Sequence, residues 1–249
     1  WDEANEDLVE PLQGLPYVQA TIDEEKGVRT NSILEAHRLN SPYIYNSPGF
    51  EQISEEIGFE KGRPFDRRRL VRALLKFDPN SLIHGIFLEK VGGVVRLPRM
   101  LSAFIEARNV TVAPSGGVKV DRVQPATDKA LYGKADEGYG NVPYHRDEYT
   151  GEITAYFNVD VAQLRGYGLE EEAEDLLLTL SLFKIRRFLE EGLRLRTACD
   201  LQAEEVRVTR PEGWNLPSHD ELASDLPTLI QDARSQFVAP PITQLTYSK

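Results

Sequence analysis

Apolar residues recur every three or four positions along several stretches of the chain, which is the spacing of one face of an α-helix. The predicted helices cover residues 32–39, 66–76, 97–107 and 169–191, with a last helix beginning near Ser218. Asp66 stands where an N-cap is expected, and Gly192 follows the longest helix as a C-terminal stop. Asn31 or Ser32 would cap the first helix, with Glu35 at the capping-box position.

Alternation of apolar and polar residues predicts strands in the stretches between these helices. The predicted strands cover residues 81–88, 109–113, 117–123, 153–161, 193–201 and 204–208. The segment 114–117, Pro-Ser-Gly-Gly, is expected to form a hairpin turn. Residues 124–150 have few periodic apolar positions, so they are expected to form a long exposed loop or finger. The first 30 residues are expected to be loop with at most one strand.

The order of these elements predicts an α+β fold. Strand, helix and strand follow one another in the middle of the chain and again toward its end. Two such units packed as one antiparallel sheet with helices on one face give a ferredoxin-like, RRM-type core. The core would span residues 30–210, with a finger inserted at about 113–150. Residues 1–29 would form an N-terminal extension and residues 211–249 a C-terminal helix and tail.

Charge is segregated along the chain. Residues 61–146 hold 16 Lys and Arg against 8 Asp and Glu, although the formal net charge of the chain is -11, so the other residues carry -19. A basic span attracts polyanions, while an acidic remainder discourages indiscriminate binding to nucleic acid or membrane. Solvated arginines on ordinary helix faces are the alternative, and charge alone does not separate the two interpretations.

Several function classes lack their sequence signals. No apolar run approaches the ~20 residues of a membrane helix, and the acidic first residues lack the features of a signal peptide. The single cysteine, Cys199, excludes a disulfide within the chain and a cysteine-rich zinc site. A reducing, cytoplasmic setting is therefore expected. Because HExxH, Walker-type and dinucleotide motifs are absent from the sequence, no metal and no cofactor are expected.

Histidines and arginines supply the other candidates for chemistry. The four histidines are His37, His84, His145 and His219. His84 is flanked by apolar residues and is interpreted as a core or half-buried histidine. A hydrolytic pair of Ser32 and His37 would need an orienting acid and an oxyanion site that no motif announces. Arg194 and Arg196 alternate with leucines, so both could hold phosphates from one sheet face, or both could be solvated.

Five segments, taken in order, resemble a known family. They are SILEAHRLNSP at 32–42, DPNSLIHGIFL at 78–88, RLPRMLSAFIEA at 96–107, ITAYFNVD at 153–160 and GLRLRTACDL at 192–201. Together they resemble the backbone subunit of the type I-U, or I-G, CRISPR Cascade complex, a member of the RAMP superfamily. The family typically has Asn where this chain has His37.

The resemblance implies a modified RRM-like palm with inserted finger and thumb segments, in a subunit that polymerises along a guide RNA as an open filament. The implied partners are guide (CRISPR) RNA, target DNA through the guide, other copies of the chain and other Cascade subunits, with no membrane. A subunit that accepts any guide should hold phosphate and ribose rather than read base edges. The candidate RNA-binding residues are Ser32, His37, Arg38, Arg96, Arg99, Lys119, Arg122, Lys134, His145, Arg146, Arg194 and Arg196.

Other functions stay open from the sequence, although the expectation is that the protein is not an enzyme. A RAMP endoribonuclease would need a histidine with a hydroxyl or lysine partner, and His37 and His145 are the candidates. A small-molecule enzyme on an α+β scaffold and an acidic protein–protein adaptor without nucleic-acid binding are further possibilities. The four arginines between Arg67 and Arg72 form either a solvated helix face or a surface that faces the DNA strand.

Overall fold

The computed structural model describes residues 1–60, 62–89, 91, 95–121, 140–194 and 200–247, with the backbone alone over 111–116, 118–121, 140–150, 193–194 and at 200. Two compact units are present. One consists of residues 1–102 and 157–249, and the other of residues 103–156. In the described part of the chain, no helix combines the length and the apolarity needed to cross a lipid bilayer.

Helices and strands alternate irregularly along the chain. The helices are α1 (Pro42–Tyr45), α2 (Phe50–Ile57), α3 (Arg67–Phe77), α4 (Asn80–His84), α5 (Val161–Gly166), α6 (Glu171–Glu190) and α7 (His219–Asp232). The strands are β1 (Tyr17–Asp23), β2 (Val28–Asn31), β3 (Ile86–Leu88), β4 (Val95–Leu97), β5 (Leu101–Asp121), β6 (Gly140–Val159), β7 (Leu193–Arg194), β8 (Asp200–Leu201) and β9 (Ile242–Thr246). Short 3-10 helices lie at Glu10–Leu12, Arg38–Asn40 and Ala233–Gln236.

The strands form one three-stranded sheet and several two-stranded ones. In the larger sheet, β1 pairs with β2 in antiparallel and with β9 in parallel orientation, so that Tyr17 lies opposite Ile242. The β3–β4 and β7–β8 pairs are antiparallel, and β5 pairs with β6. The predicted α+β class with antiparallel sheets is confirmed, and it is consistent with a ferredoxin-like or RRM-type core. The division at residues 30 and 210 stays a prediction.

The core of the first unit lies between the helices and the three-stranded sheet. Helix α6 packs against α7, α4 packs against α6, and α2 packs against α3. Fully buried side chains come from all of these elements, including Ile53, Leu70, Leu74, Phe77, Leu82, Leu176, Leu180 and Leu226. Each large apolar side chain buried in this way contributes about 1.5–3 kcal/mol to the free energy of folding. The core therefore provides a rigid support for the polar residues at its boundary.

Three helices form where their local signals predict them. The Asp66 carboxylate caps α3 by accepting a hydrogen bond from the backbone N–H of Arg68 at 2.9 Å. Helix α6 ends at Glu190, and Gly192 beyond it has a φ of 82°. Ser218 and Glu221 form a complete capping box at the start of α7. The strand predicted near residues 153–161 is confirmed as the end of β6.

The helix predicted over residues 32–39 is wrong. The chain forms turns there, followed by the 3-10 helix Arg38–Asn40. The Asn31 side chain accepts backbone hydrogen bonds from Ile33 at 3.0 Å and Leu34 at 2.9 Å, which favours a turn. Glu35 bonds to the hydroxyl of Thr30 instead of completing a capping box.

The helix predicted over residues 97–107 is also wrong, because β4 and the start of β5 occupy this stretch. A short apolar run does not distinguish the two periods, and strand pairing decides between them. The hairpin predicted at 114–117 does not form, since the β5 backbone is extended through it. Proline is compatible with a two-stranded sheet, whose strands each have an edge without a partner.

Further strand and loop predictions need correction. The first 30 residues contain β1 and the start of β2, where at most one strand is predicted. Residues 81–84 belong to α4, and only 86–88 of the predicted strand are extended. Residues 202–209 have no regular structure, so the strand predicted at 204–208 is wrong. The backbone of residues 140–150 lies in β6 rather than in a loop. The single strand predicted at 193–201 is wrong, because β7 and β8 pair with each other in antiparallel orientation, with Leu193 opposite Leu201. Residues 122–139 and 195–199 lie outside the described residues.

Arg69 holds the C-terminal end of α2, and its removal is expected to destabilise the protein. Its guanidinium donates to the carbonyl oxygens of Glu56 at 2.9 Å and Glu55 at 2.5 Å. Gly58 ends α2 with a φ of +66°, and a Cβ there would overlap this guanidinium. We expect Arg69→Ala and Gly58→Ala each to lower the free energy of unfolding by about 1 kcal/mol. Urea titration measures this, with the exposed Arg68→Ala as the matched control expected to change it by less than about 0.5 kcal/mol. Equal midpoints for the Arg68 and Arg69 variants would contradict the assignment.

Candidate anion-binding site

Three basic side chains from distant parts of the chain meet beside α4. Arg38 begins the 3-10 helix Arg38–Asn40, Arg99 follows β4, and Lys184 belongs to α6. We call these three side chains the cationic cluster. Burial lowers the pKa of the Arg38 guanidinium, an effect that nearby Asp78 opposes and Arg99 reinforces. Arg38 also lowers the pKa of Lys184. Arg38 is therefore close enough to Arg99 and to Lys184 for their charges to interact.

The backbone at Arg38 is held in an unusual conformation. Its φ is 49°, in the left-handed region that a non-glycine residue adopts at a cost of about 1–2 kcal/mol. The turn is fastened by Asn40, whose side-chain oxygen accepts a 2.9 Å hydrogen bond from the backbone N–H of Glu89, just after β3. Residues held in such conformations concentrate at functional sites. The strained turn thus fixes the direction in which the Arg38 side chain leaves the backbone.

Asp78 is a buried carboxylate near Arg38 and Lys184. Asp78 is 0 % exposed, and its Oδ2 accepts a 2.8 Å hydrogen bond from the Ser81 hydroxyl. Its Oδ1 has no hydrogen-bond partner among the described residues. Burial raises the pKa of Asp78 to about 6, and the Ser81 hydroxyl, Arg38 and Lys184 oppose the rise. At neutral pH Asp78 is therefore mostly ionised and serves as an inner counter-charge.

Lys184 is held by polar side chains of α4. Its ammonium donates to Asn80 Oδ1 at 2.5 Å and lies 3.0 Å from His84 Nε2. Burial lowers the pKa of Lys184 to about 8, with Asp78 opposing and Arg38 reinforcing the change. The side chain is still mostly protonated at neutral pH. Because an ammonium can only donate, His84 Nε2 accepts, and the imidazole is neutral with its proton on Nδ1.

His84 is a partly buried, uncharged histidine, which confirms its interpretation from the sequence. Burial, followed by the positive charges of Lys184, Arg38 and Arg99, lowers the pKa of His84 to about 3. It therefore adds no charge to the cluster at neutral pH. Its role in the described structure is to accept a hydrogen bond and orient the lysine.

The cluster carries more positive than negative charge. The region holds three cations and one buried carboxylate, Asp78, and none of the three cations lies within ion-pair distance of a carboxylate among the residues described. Arg99 is exposed and Arg38 is half-buried, so the cluster is open to solvent. Arginine forks and a lysine point charge are the side chains that hold phosphate and carboxylate groups. The arrangement therefore suits an anionic ligand.

An aromatic–guanidinium pair lies on the neighbouring β3–β4 pair. Arg96 and Phe87 are directly opposite in register, and the guanidinium carbon is 4.6 Å from the ring centroid. Both side chains are exposed. Gly85 immediately precedes β3 and lies close to the backbone that follows β4. A Cβ at Gly85 would lie 2.8 Å from the backbone nitrogen of Arg99. The β3–β4 pair therefore runs beside the backbone of Arg99.

The structure places the other predicted contact residues in several settings. Ser32 is buried, and its Oγ accepts a 3.2 Å hydrogen bond from the backbone of Val18. His37 is exposed and directly precedes Arg38. Only the backbone is described for Lys119 on β5, His145 and Arg146 on β6, and Arg194 on β7. Arg122, Lys134 and Arg196 lie outside the described residues.

Sequence reasoning missed Lys184, Asp78 and Asn80. A signal for Lys184 was present, since it stands four residues after Leu180 and seven after Leu177, both buried in α6. A lysine on the apolar face of a helix requires polar partners, which here come from α4. Nothing in the local sequence identified those partners.

Among the described residues, no group of three His, Cys, Asp or Glu side chains could hold a metal ion. Residues 1–112 match the model of a protein family described as CRISPR-associated protein GSU0053. A search of curated proteins found no match to the chain. The matched stretch contains Arg38, Asp78 and Arg99, whereas Lys184 lies beyond it.

Proposed function

We propose that the protein is a guide-RNA-binding backbone subunit of a type I (I-U/I-G) effector complex. The match of residues 1–112 to the model of a CRISPR-associated protein family supports a role in a CRISPR system. In the proposed role the protein assembles with further copies of itself along the guide and with other Cascade subunits. It meets target DNA through the guide and performs no catalysis. The proposed binding mode is a grip on the ribose–phosphate backbone.

One observation carries the proposal, namely the excess positive charge of the cationic cluster. Arg38 and Arg99 are predicted RNA contacts from the sequence, and in the fold the charge of Arg38 interacts with those of Arg99, Lys184 and the buried carboxylate of Asp78. Contacts to phosphate position a nucleic acid without reading its sequence. A subunit that must accept any guide requires contacts of this kind.

The exposed Arg96–Phe87 pair supports a single-stranded rather than a double-stranded ligand. Bases stack on aromatic rings and on guanidinium planes, and this stacking tolerates every base. A paired strand would keep its bases inside a helix, where a side-chain pair on a two-stranded sheet cannot reach their faces. Cationic side chains together with a stacking surface are the combination that proteins use for single strands.

Salt dependence and stoichiometry test the proposal directly. We expect the purified protein to bind single-stranded RNA with a log–log salt slope of about -0.7 for each phosphate contacted. Native mass spectrometry should show a ladder of protein copies on one RNA, whose maximum grows with RNA length. Binding that is insensitive to salt, or a lack of binding, would overturn the proposal and favour the adaptor. Specific RNA cutting that disappears in His37→Ala or His145→Ala would instead support the endoribonuclease.

A further inference from the structure

Within the described part of the chain, the cationic cluster has hydrogen-bond donors without a protein acceptor. The Lys184 ammonium has three hydrogens, and within the described residues it meets only Asn80 and His84. The guanidiniums of Arg38 and Arg99 make no side-chain hydrogen bond within the same part of the chain. The donors of three side chains are therefore available to one ligand.

We propose that Arg38, Arg99 and Lys184 jointly bind one phosphodiester group of a single RNA strand, with Lys184 as the innermost contact and the attached nucleoside stacked against the Arg96–Phe87 pair. This inference rests on the proposed function, because it names the group of the RNA that the site receives. It adds a residue from α6, which lies outside both the family match and the predicted contacts.

The chemistry of the ligand matches the chemistry of the site. A phosphodiester has two unbridged oxygens that share one negative charge and accept several hydrogen bonds, which suits two guanidinium forks and an ammonium. A phosphate is also followed by a ribose and a base at a distance of one nucleotide. The exposed Arg96–Phe87 pair on β3 and β4 provides the surface on which that base can stack. An acidic peptide offers carboxylates but no planar base for this pair.

An inner layer of uncharged and acidic groups keeps Lys184 in place before the ligand arrives. Asn80 and the neutral His84 accept its hydrogen bonds, and the buried Asp78 compensates part of its charge. The charge of Arg38 lowers the pKa of Lys184, and the charge of Arg99 lowers the pKa of Arg38 and of His84. These groups position the ammonium, whereas the ligand meets the ammonium itself.

The pH dependence of RNA binding tests the role of Lys184. The pKa of this lysine is about 8 in the free protein, so the ammonium is lost as the pH rises through 8, while a phosphodiester keeps its charge. The RNA should contain only A and C, because guanine and uracil lose a ring proton in alkali. We expect the wild-type Kd to rise about tenfold or more between pH 6.5 and 9.5. Lys184→Gln should be as weak at pH 6.5 as the wild type is at pH 9.5, and Lys184→Arg should bind tightly at both.

The control is Lys26→Gln, which removes the same charge from an exposed lysine paired with Asp23. It should keep the wild-type Kd and the wild-type pH dependence. If the wild type binds RNA but Lys184→Gln binds equally well at pH 6.5, the inference is overturned while the proposed function stands. If the wild type does not bind RNA, both are overturned.

A measurement on the unaltered protein covers the case in which Lys184→Gln fails to fold. Pyridoxal 5′-phosphate carries a phosphate and an aldehyde, and the aldehyde condenses with a lysine amine to an imine and water, which borohydride reduces to a stable amine. Peptide mass mapping should show label at Lys184 ahead of Lys26 and Lys76. The A/C RNA should protect Lys184 from labelling, and polyglutamate should not. Protection by polyglutamate alone would assign the site to an acidic peptide and overturn the inference.

Discussion

Replacing Arg38 and Arg99 together with glutamine is expected to weaken RNA binding by about a hundredfold or more. A hydrogen bond to a charged group contributes about 1.5–3 kcal/mol, and each 1.4 kcal/mol is a tenfold change in Kd. Both guanidiniums belong to the cationic cluster, where the burial of Arg38 and the excess of positive charge strengthen the attraction for an anion. Fluorescence anisotropy with a labelled A/C RNA measures the change. The magnitude of the salt slope should fall at the same time, by about 0.7 for each phosphate that the variant no longer binds.

The control for this experiment must remove the same amount of charge elsewhere. Arg67→Gln/Arg68→Gln does so on α3, where both side chains are exposed. We expect this variant to change RNA affinity less than about threefold, because exposed charges are screened within about 8–10 Å at ordinary ionic strength. Equal reductions of affinity in the two double variants would mean that net charge, and not the cationic cluster, governs binding.

Replacing Tyr167 with alanine is expected to lower the free energy of unfolding by about 3–5 kcal/mol. The side chain is 1 % exposed, and its hydroxyl donates to the carbonyl oxygen of Leu82 at 2.8 Å. It also accepts a 2.7 Å hydrogen bond from the side-chain nitrogen of Gln163. Tyr167 thus joins the end of α5 to α4, the helix that supplies Asn80 and His84 to the site. Urea unfolding followed by circular dichroism measures the decrease.

Tyr167→Phe separates the hydroxyl from the ring. It leaves the buried carbonyl of Leu82 without this donor, so we expect the free energy of unfolding to fall by about 1–2 kcal/mol. Tyr43→Phe is the matched control, since Tyr43 is 39 % exposed and the change should cost less than about 0.5 kcal/mol. A Tyr167→Phe midpoint equal to that of the wild type would show that the hydroxyl bonds contribute nothing to stability.

Elements with strong local signals were predictable because their information is contained in a few neighbouring residues. Asp66 caps α3, Gly192 follows α6, and Ser218 with Glu221 opens α7, as the sequence indicates. In each case a side chain satisfies backbone groups only two or three residues away, or a glycine permits a positive φ. These interactions form regardless of how the rest of the chain is arranged.

Segments with weak or mixed periodicity were decided by partners far along the chain. The apolar positions of 97–107 fit a helix, yet pairing with β3 and β6 makes the segment extended. Short apolar runs fit both periods, so the backbone hydrogen bonds of a distant strand determine the outcome. The pairing of β1 with β9 likewise joins residues more than 200 positions apart, which no local pattern announces.

The candidate site divides in the same way. The basic span over residues 61–146 indicates Arg96 and Arg99, and the family resemblance adds Arg38. Tertiary structure alone brought Lys184 into contact with Asn80 and His84. It also placed the buried Asp78 close enough to Lys184 for their charges to interact. Burial and electrostatic coupling arise only when α4, α6 and the turn at Arg38 pack together. The sequence by itself therefore determined which charges were available, and the packing of distant segments decided which of them act on one ligand.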